Sequence, residues 1–307
     1  MAQKIVPHLW FDNDAGEAVE TYVRAFAPLG ESRVDSSVVL PDTPSGDALN
    51  LLFTLAGHRF VAINGGPYFR PNPSISFFVN FDPSLDPRAR EHLDGLWQVL
   101  SDGGEVLMEL GEYPFSAHYG WLRDRFGVSW QLILTDPDGD PRPVIVPSLL
   151  FTGERAGQAL DARDFWMSVF EDSHAGLTAP YPAGAEPEVE GTLMFGDFTL
   201  AGQWFAAADS ALEHSFAFDE GVSLLVECED QAEIDRLWEA LSAVPAAEQC
   251  GWLKDRFGVS WQIAPAEMTV MMETGSPDQL ARLTQAFLPM HRLDLATLRA
   301  AWEGREG

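Results

Sequence analysis

YGWLRDRFGVSWQLIL at residues 119–134 returns as QCGWLKDRFGVSWQIAP at 249–265. Trp121 and Trp252 lie 131 residues apart. Nine consecutive residues, Asp124 to Leu132, recur as Asp255 to Ile263 with one conservative change at the end. Chance does not produce such a match, and a repeat of this length organises the rest of the chain. Working outward, VPHLWF at 6–11 matches VPSLLF at 146–151, and each precedes a helical stretch that ends in an aromatic, Phe26 and Phe170. GHRFVAINGG at 57–66 is matched with GDFTLAGQW at 196–204, and ISFFVNFD at 75–82 with VSLLVECED at 222–230. All four matches keep one order in both halves, so the chain reads as a tandem duplication. The seam falls in the turn-rich DPDGDPRP, near Asp140 to Pro143. This gives a first domain over 1–142, a second over 143–270 and a helical C-terminal tail over 271–307.

Each copy reads as an α+β domain. Ile5 to Phe11 alternates around His8 and predicts a strand. Asp14 to Phe26 predicts a helix, with Ala18, Val19, Tyr22, Val23 and Phe26 on one face. Three strands follow, over 32–40, 49–55 and 59–64. A second β-α-β-β-β unit then runs from a strand at 75–81 through a helix at 88–100 to strands at 105–110, 119–122 and 128–134. Two such units are expected to form a curved mixed sheet around a cup, with helices outside. Alternation directs Val6, His8 and Trp10 into the cup, with Ser74, Ser76 and Phe78 of the fifth strand and Ser129, Gln131 and Ile133 of the eighth. Leu9, Phe11, Val128, Trp130 and Leu132 face the helices. The second copy spans 16 residues fewer between its Val226 and Trp252 than the first between Val79 and Trp121, about one hairpin arm. It carries instead the tail, where Ser276-Pro277 is a helix start and Leu280, Leu283 and Phe287 recur at helical spacing.

Composition narrows the function. The net charge of −28, from 19 basic and 47 acidic residues, repels phosphate backbones and anionic membranes, so neither nucleic acid nor a membrane is an expected partner. No stretch approaches the roughly 18 apolar residues a membrane helix needs. No secretory signal is visible at MAQKIVPHLW, and the cytoplasm is the expected location. Cys228 and Cys250 fit no zinc spacing and are read as free thiols. No glycine-rich loop between strand and helix offers a dinucleotide or methyl-donor site, and no nucleophile motif appears. His92, His118 and His174 are read as surface residues.

The opening VPHLWFDNDAGEAVETYVRAF, the central GHRFVAINGGP with ISFFVNFD, and DRFGVSWQ resemble the PhnB-like, or 3-demethylubiquinone-9 3-methyltransferase-like, branch of the vicinal-oxygen-chelate (glyoxalase/bleomycin-resistance) superfamily. The tail LPMHRLDLATLRAAW resembles that branch's C-terminus. The resemblance implies a glyoxalase-like fold, and in metal-dependent members three cup-facing ligands: a His on the first strand, a His or similar residue on the fifth and a Glu on the eighth. The matching positions are His8, Ser76 and Gln131 in the first copy and Ser148, Ser223 and Gln262 in the second. One imidazole and an amide are a poor divalent set, so no conventional metal and no cofactor are expected. His8 has three readings: a polar group in a ligand cup, a structural histidine bonded to a neighbour such as Gln131, or a metal ligand. Gln131 and Gln262 either orient a ligand or satisfy buried backbone groups. Trp130 and Trp261 are core, Trp121 and Trp252 close the cup rim or simply pack, and Asp124 and Asp255 cap a turn. The expected ligand-binding set is His8, Trp10, Asn64, Ser76, Phe78 and Gln131, gathered in the first copy's cup around a small organic ligand. The second copy, with Leu150 and Leu225 in its cup, is expected to be structural, so that the chain is a pseudo-dimeric monomer or a homodimer. The rival readings are an isomerase, lyase or thiol-transfer enzyme using His8, and a structural module with a filled cup.

Overall fold

The computed structural model describes residues 3–305. The first unit is β1 (Ile5–Phe11), α1 (Ala15–Phe26), β2 (Arg33–Thr43), β3 (Gly46–Leu55) and β4 (His58–Asn64). The second is β5 (Ile75–Phe81), α2 (Ala89–Ser101), β6 (Glu105–Tyr113), β7 (Ser116–Arg123) and β8 (Ser129–Leu134). The third is β9 (Ile145–Phe151), α3 (Ala159–Val169), β10 (Ala175–Pro180), β11 (Leu193–Leu200) and β12 (Gln203–Asp209). The fourth is cut short: β13 (Val222–Cys228), α4 (Gln231–Leu241), β14 (Trp252–Lys254) and β15 (Ser260–Pro265). The tail adds α5 (Ala266–Thr274), α6 (Pro277–Phe287) and α7 (Leu295–Glu303).

Two mixed sheets result, and neither belongs to one copy. The first runs β14-β15-β13-β1-β4-β3-β2, and the second β10-β11-β12-β9-β5-β8-β7-β6. The first unit therefore shares a sheet with the fourth, and the third with the second. β1 lies antiparallel to β13 with His8 opposite Ser223, and β9 lies antiparallel to β5 with Ser148 opposite Ser76. This corrects the expectation that both units of one copy close around one cup. The helix layer does stay within a copy. Tyr22 and Phe26 of α1 pack on Trp130 of β8, and Trp166 of α3 and Phe170 pack on Trp261 of β15. Trp130 and Trp261 are fully buried, as alternation requires.

One sequence match slips. Ala56-Gly57 and Ala201-Gly202 both turn with positive φ (46° and 82°, 49° and 72°) between paired strands. The structural equivalents are thus AGHRFVAIN at 56–64 and AGQWFAAAD at 201–209, not 57–66 and 196–204. Asn64 and Asp209 then correspond, and each accepts a hydrogen bond from the start of its unit's helix: Asn64 from the Ala15 amide, Asp209 from the Ala159 amide.

β6 has no partner element in the fourth unit, which is where the second copy is shorter. The tail lies against that side. α6 opens on a full capping box between Ser276 and Gln279 and packs against β2 and α7. Leu40 of β2 joins Met268, Met271, Leu283, Phe287, Leu293 and Leu298 in a small separate core. Burial of each leucine there contributes about 1.5–3 kcal/mol.

Candidate functional site

The repeated octapeptide builds the base of each sheet around one carboxylate. Asp124 Oδ1 accepts from the Phe126 and Val128 amides, and its Oδ2 accepts from the Trp130 indole and the Tyr22 hydroxyl. Asp255 repeats this with Phe257, Val259 and Trp261, and Trp166 takes the place of Tyr22. The expected turn cap is therefore also the polar anchor of the buried tryptophan. Burial pushes the Asp124 carboxyl up to about 6 against four donors that pull it down. The Asp255 carboxyl is raised for the same reason.

The anchored strand carries its glutamine to the opposite face. In the second sheet Gln131 Nε2 donates to Ser76 Oγ at 2.8 Å, and its Oε1 accepts from the Tyr119 hydroxyl at 2.6 Å. That amide is held at both ends. In the first sheet Gln262 Nε2 donates to Ser223 Oγ at 2.9 Å, and Cys250 stands where Tyr119 stands in the other copy. The two sheets thus carry His8, Ser223, Gln262 and Ser148, Ser76, Gln131. The resemblance had grouped the same six positions copy by copy.

A cavity of about 560 Å³ lies over the first sheet. Its floor holds His8, Leu52, Val61, Leu225 and Gln262, and its aromatic wall is Trp10, Phe69 and Trp252. Trp10 meets Phe69 and Trp252 edge to face at 5.4 and 5.9 Å, and His8 meets Trp252 at 5.5 Å. The Trp10 indole donates to the Gly66 carbonyl, and Gly65 passes so close that a Cβ there would lie 2.2 Å from the ring. Only glycine lets Trp10 stand in this wall. His8 is 4% exposed, and its Nδ1 is buried with no hydrogen-bond partner among the described residues. Burial lowers its pKa to about 3, so the imidazole is neutral at physiological pH.

Of the six residues expected together, His8 and Trp10 line this cavity. Ser76, Phe78 and Gln131 belong to the other sheet, where Phe78 packs edge to face on Phe195 and Gln131 is tied to Tyr119. Asn64 lies at the end of β4 and fixes the start of α1. Of the three readings of His8, the one that bonds it to Gln131 is ruled out by the same separation, and Leu225 faces His8's cup rather than one of its own. The closing wall comes from Met268 and Met272 of α5 and Phe287 of α6. Their signal in the sequence was the coincidence of a missing arm with an added amphipathic tail. His92 and His118 pair with Asp86 and Asp94, and His118 is buried rather than superficial.

The implied metal does not suit these donors. One imidazole, one hydroxyl already accepting from an amide, and that amide give a divalent ion a single good ligand. Among the described residues no three His, Cys, Asp or Glu side chains are placed to hold a metal ion. No helix among them is long and apolar enough to cross a membrane.

The family model described as 3-demethylubiquinone-9 3-methyltransferase matches residues 3–133 and again 143–264. A PhnB protein from Bacillus cereus is 33% identical over 43% of this chain and 100% of its own, with a TM-score of 0.38. Protein PA1353 from Pseudomonas aeruginosa is 25% identical over 44% of this chain and 98% of its own, with a TM-score of 0.35. Glyoxalase I from Zea mays is 11% identical but covers 89% of this chain and 98% of its own, with a TM-score of 0.53, a likeness of fold alone. No curated protein matches the sequence. Two matches that together span most of the chain show that it belongs to the 3-demethylubiquinone-9 3-methyltransferase-like (PhnB-like) family, written twice in tandem.

Proposed function

We propose that this protein binds a small organic molecule in the cavity over the first sheet, without a conventional divalent metal. The observation that carries the reading is a largely apolar cavity of about 560 Å³ on whose floor the polar side chains of His8 and Gln262 converge. The neutral ring offers one donor and one acceptor nitrogen, and the Gln262 side chain offers a second polar point beside it. An apolar wall with a few convergent polar groups is the general pattern of small-molecule sites. The second cup, whose glutamine is internally bonded, acts as scaffold. A monomer in the cytoplasm suffices for this role, because each sheet already holds strands from both copies.

The test is a thermal-shift screen of small organic compounds on the full chain, repeated on His8→Phe and Leu225→Trp. A cavity ligand at 100 times its Kd adds about 2.7 kcal/mol to stability. We expect hits whose affinity falls roughly tenfold in His8→Phe, the worth of one hydrogen bond, and which Leu225→Trp excludes by filling the floor. Hits indifferent to both variants would place the ligand elsewhere and end the reading. Stoichiometric zinc or manganese retained through dialysis and lost in His8→Ala would overturn its metal-free part.

A further inference from the structure

Resting on that reading, we infer that the cavity selects a hydrophobic cation: an apolar body with an ammonium group and no anionic group. Its lining contains neither lysine nor arginine but three carboxylates, Glu220, Glu248 and Glu273. They reach it from three directions, ahead of β13, ahead of β14 and from the end of α5. Lys254 meets Glu220 at 2.9 Å and offsets one of them. Glu248 accepts from the Ser242 hydroxyl and stands 3.6 Å from His291. Glu273 is exposed and has no ion pair among the described residues.

Charge and shape point the same way. An anion entering the cavity gives up its water and meets no compensating cation, while three carboxylates repel it. A neutral apolar body loses nothing, and an ammonium gains twice. It is attracted to Glu248 and Glu273, and Trp10, Trp252 and Phe69 present aromatic rings in the same cavity. The protein's net charge of −28 adds a long-range field of the same sign that steers cations towards the mouth. The acidic rim alone would be an ordinary solvated surface. What makes it part of a site is that the same cavity is lined by His8, a buried side chain whose Nδ1 has no partner among the described residues.

Isothermal titration calorimetry on the full chain tests this with three probes of one shape: 2-(1-naphthyl)ethylamine, 2-(1-naphthyl)ethanol and 1-naphthylacetate. We expect the amine to bind roughly tenfold more tightly than the alcohol, and the alcohol roughly tenfold more tightly than the acetate. In the double variant Glu248→Gln, Glu273→Gln the amine's advantage should fall below about threefold with the alcohol unchanged, and 0.5 M salt should shrink it likewise in the parent protein. Equal binding of amine and alcohol, a preference for the acetate, or an advantage that survives the double variant overturns the charge preference and leaves the cavity standing as a ligand site. Failure of all three probes to bind overturns the ligand site and this inference together.

Discussion

At the scale of single residues, Asp124 shows why DRFGVSWQ recurs without change. Each of its oxygens has two donors, and the residue joins a turn, a core tryptophan and a helix tyrosine. Asp124→Asn keeps the acceptor for the two amides but turns an N–H towards the Trp130 indole N–H. We expect a loss of about 1–3 kcal/mol for the unpaired buried donor. The cost depends on pH in a definite direction. The folded carboxyl titrates at about 6, above its unfolded value, so the folded state holds the proton more tightly. Its contribution to stability is full below about pH 4 and is lost as pH rises through 6. Urea midpoints of the parent and the variant should therefore lie further apart at pH 4 than at pH 7. Asp255 titrates in both proteins and cancels from the difference. A gap that widens towards neutral pH would show that the native site prefers the ionised form.

Elements were legible from the sequence wherever one face is buried. β5 falls on the expected 75–81, β1 on 5–11, and the alternation of His8, Ser76, Gln131 and Trp130 between cup and helix layer holds at every one of them. Which units share a sheet was not legible. All four units carry the same inward and outward pattern, so periodicity states which face is apolar and not which edge it meets. Pairing within a copy and between copies satisfy it equally, so the sequence alone does not separate Gln262 from Gln131 as the neighbour of His8. The tail was half legible. Ser276, Pro277 and the leucine spacing gave the helix, but an apolar stripe does not name the surface it covers. Its cover over the cavity makes a prediction at this scale. Ser276→Ala removes the capping box that starts α6, at a cost of about 1 kcal/mol. Hydrogen exchange of the amides in Pro277–Phe287 should quicken roughly fivefold while those of β1 stay unchanged. An equal change in both elements would mean that the tail opens only with the whole molecule.

At the scale of the molecule, the exchange of units replaces the peptide link as the reason the copies stay together. Five register pairs from Ile5 to Leu9 join β1 to β13, and five from Ile75 to Val79 join β5 to β9. Arg59 of the first copy forms a two-pronged ion pair with Glu227 of the second, at 3.0 and 3.1 Å. Gln203 of the second copy accepts from the amides of Lys4 and Ile5 and returns a bond to the Ile5 carbonyl. The linker that spans the seam contributes little beside these contacts, since residues 136–141 are exposed. Cutting the chain there removes one covalent bond and none of the strand pairs. We therefore predict that a protease site inserted at Gly139 and cleaved in the folded protein leaves one particle of unchanged hydrodynamic radius, with both halves in it. Separation should require denaturant, and far-ultraviolet circular dichroism and tryptophan fluorescence should report one coincident unfolding transition, because neither sheet survives the loss of either copy. Two sheets each closed within its own copy would give the opposite result: two smaller particles after cleavage, and two transitions before it.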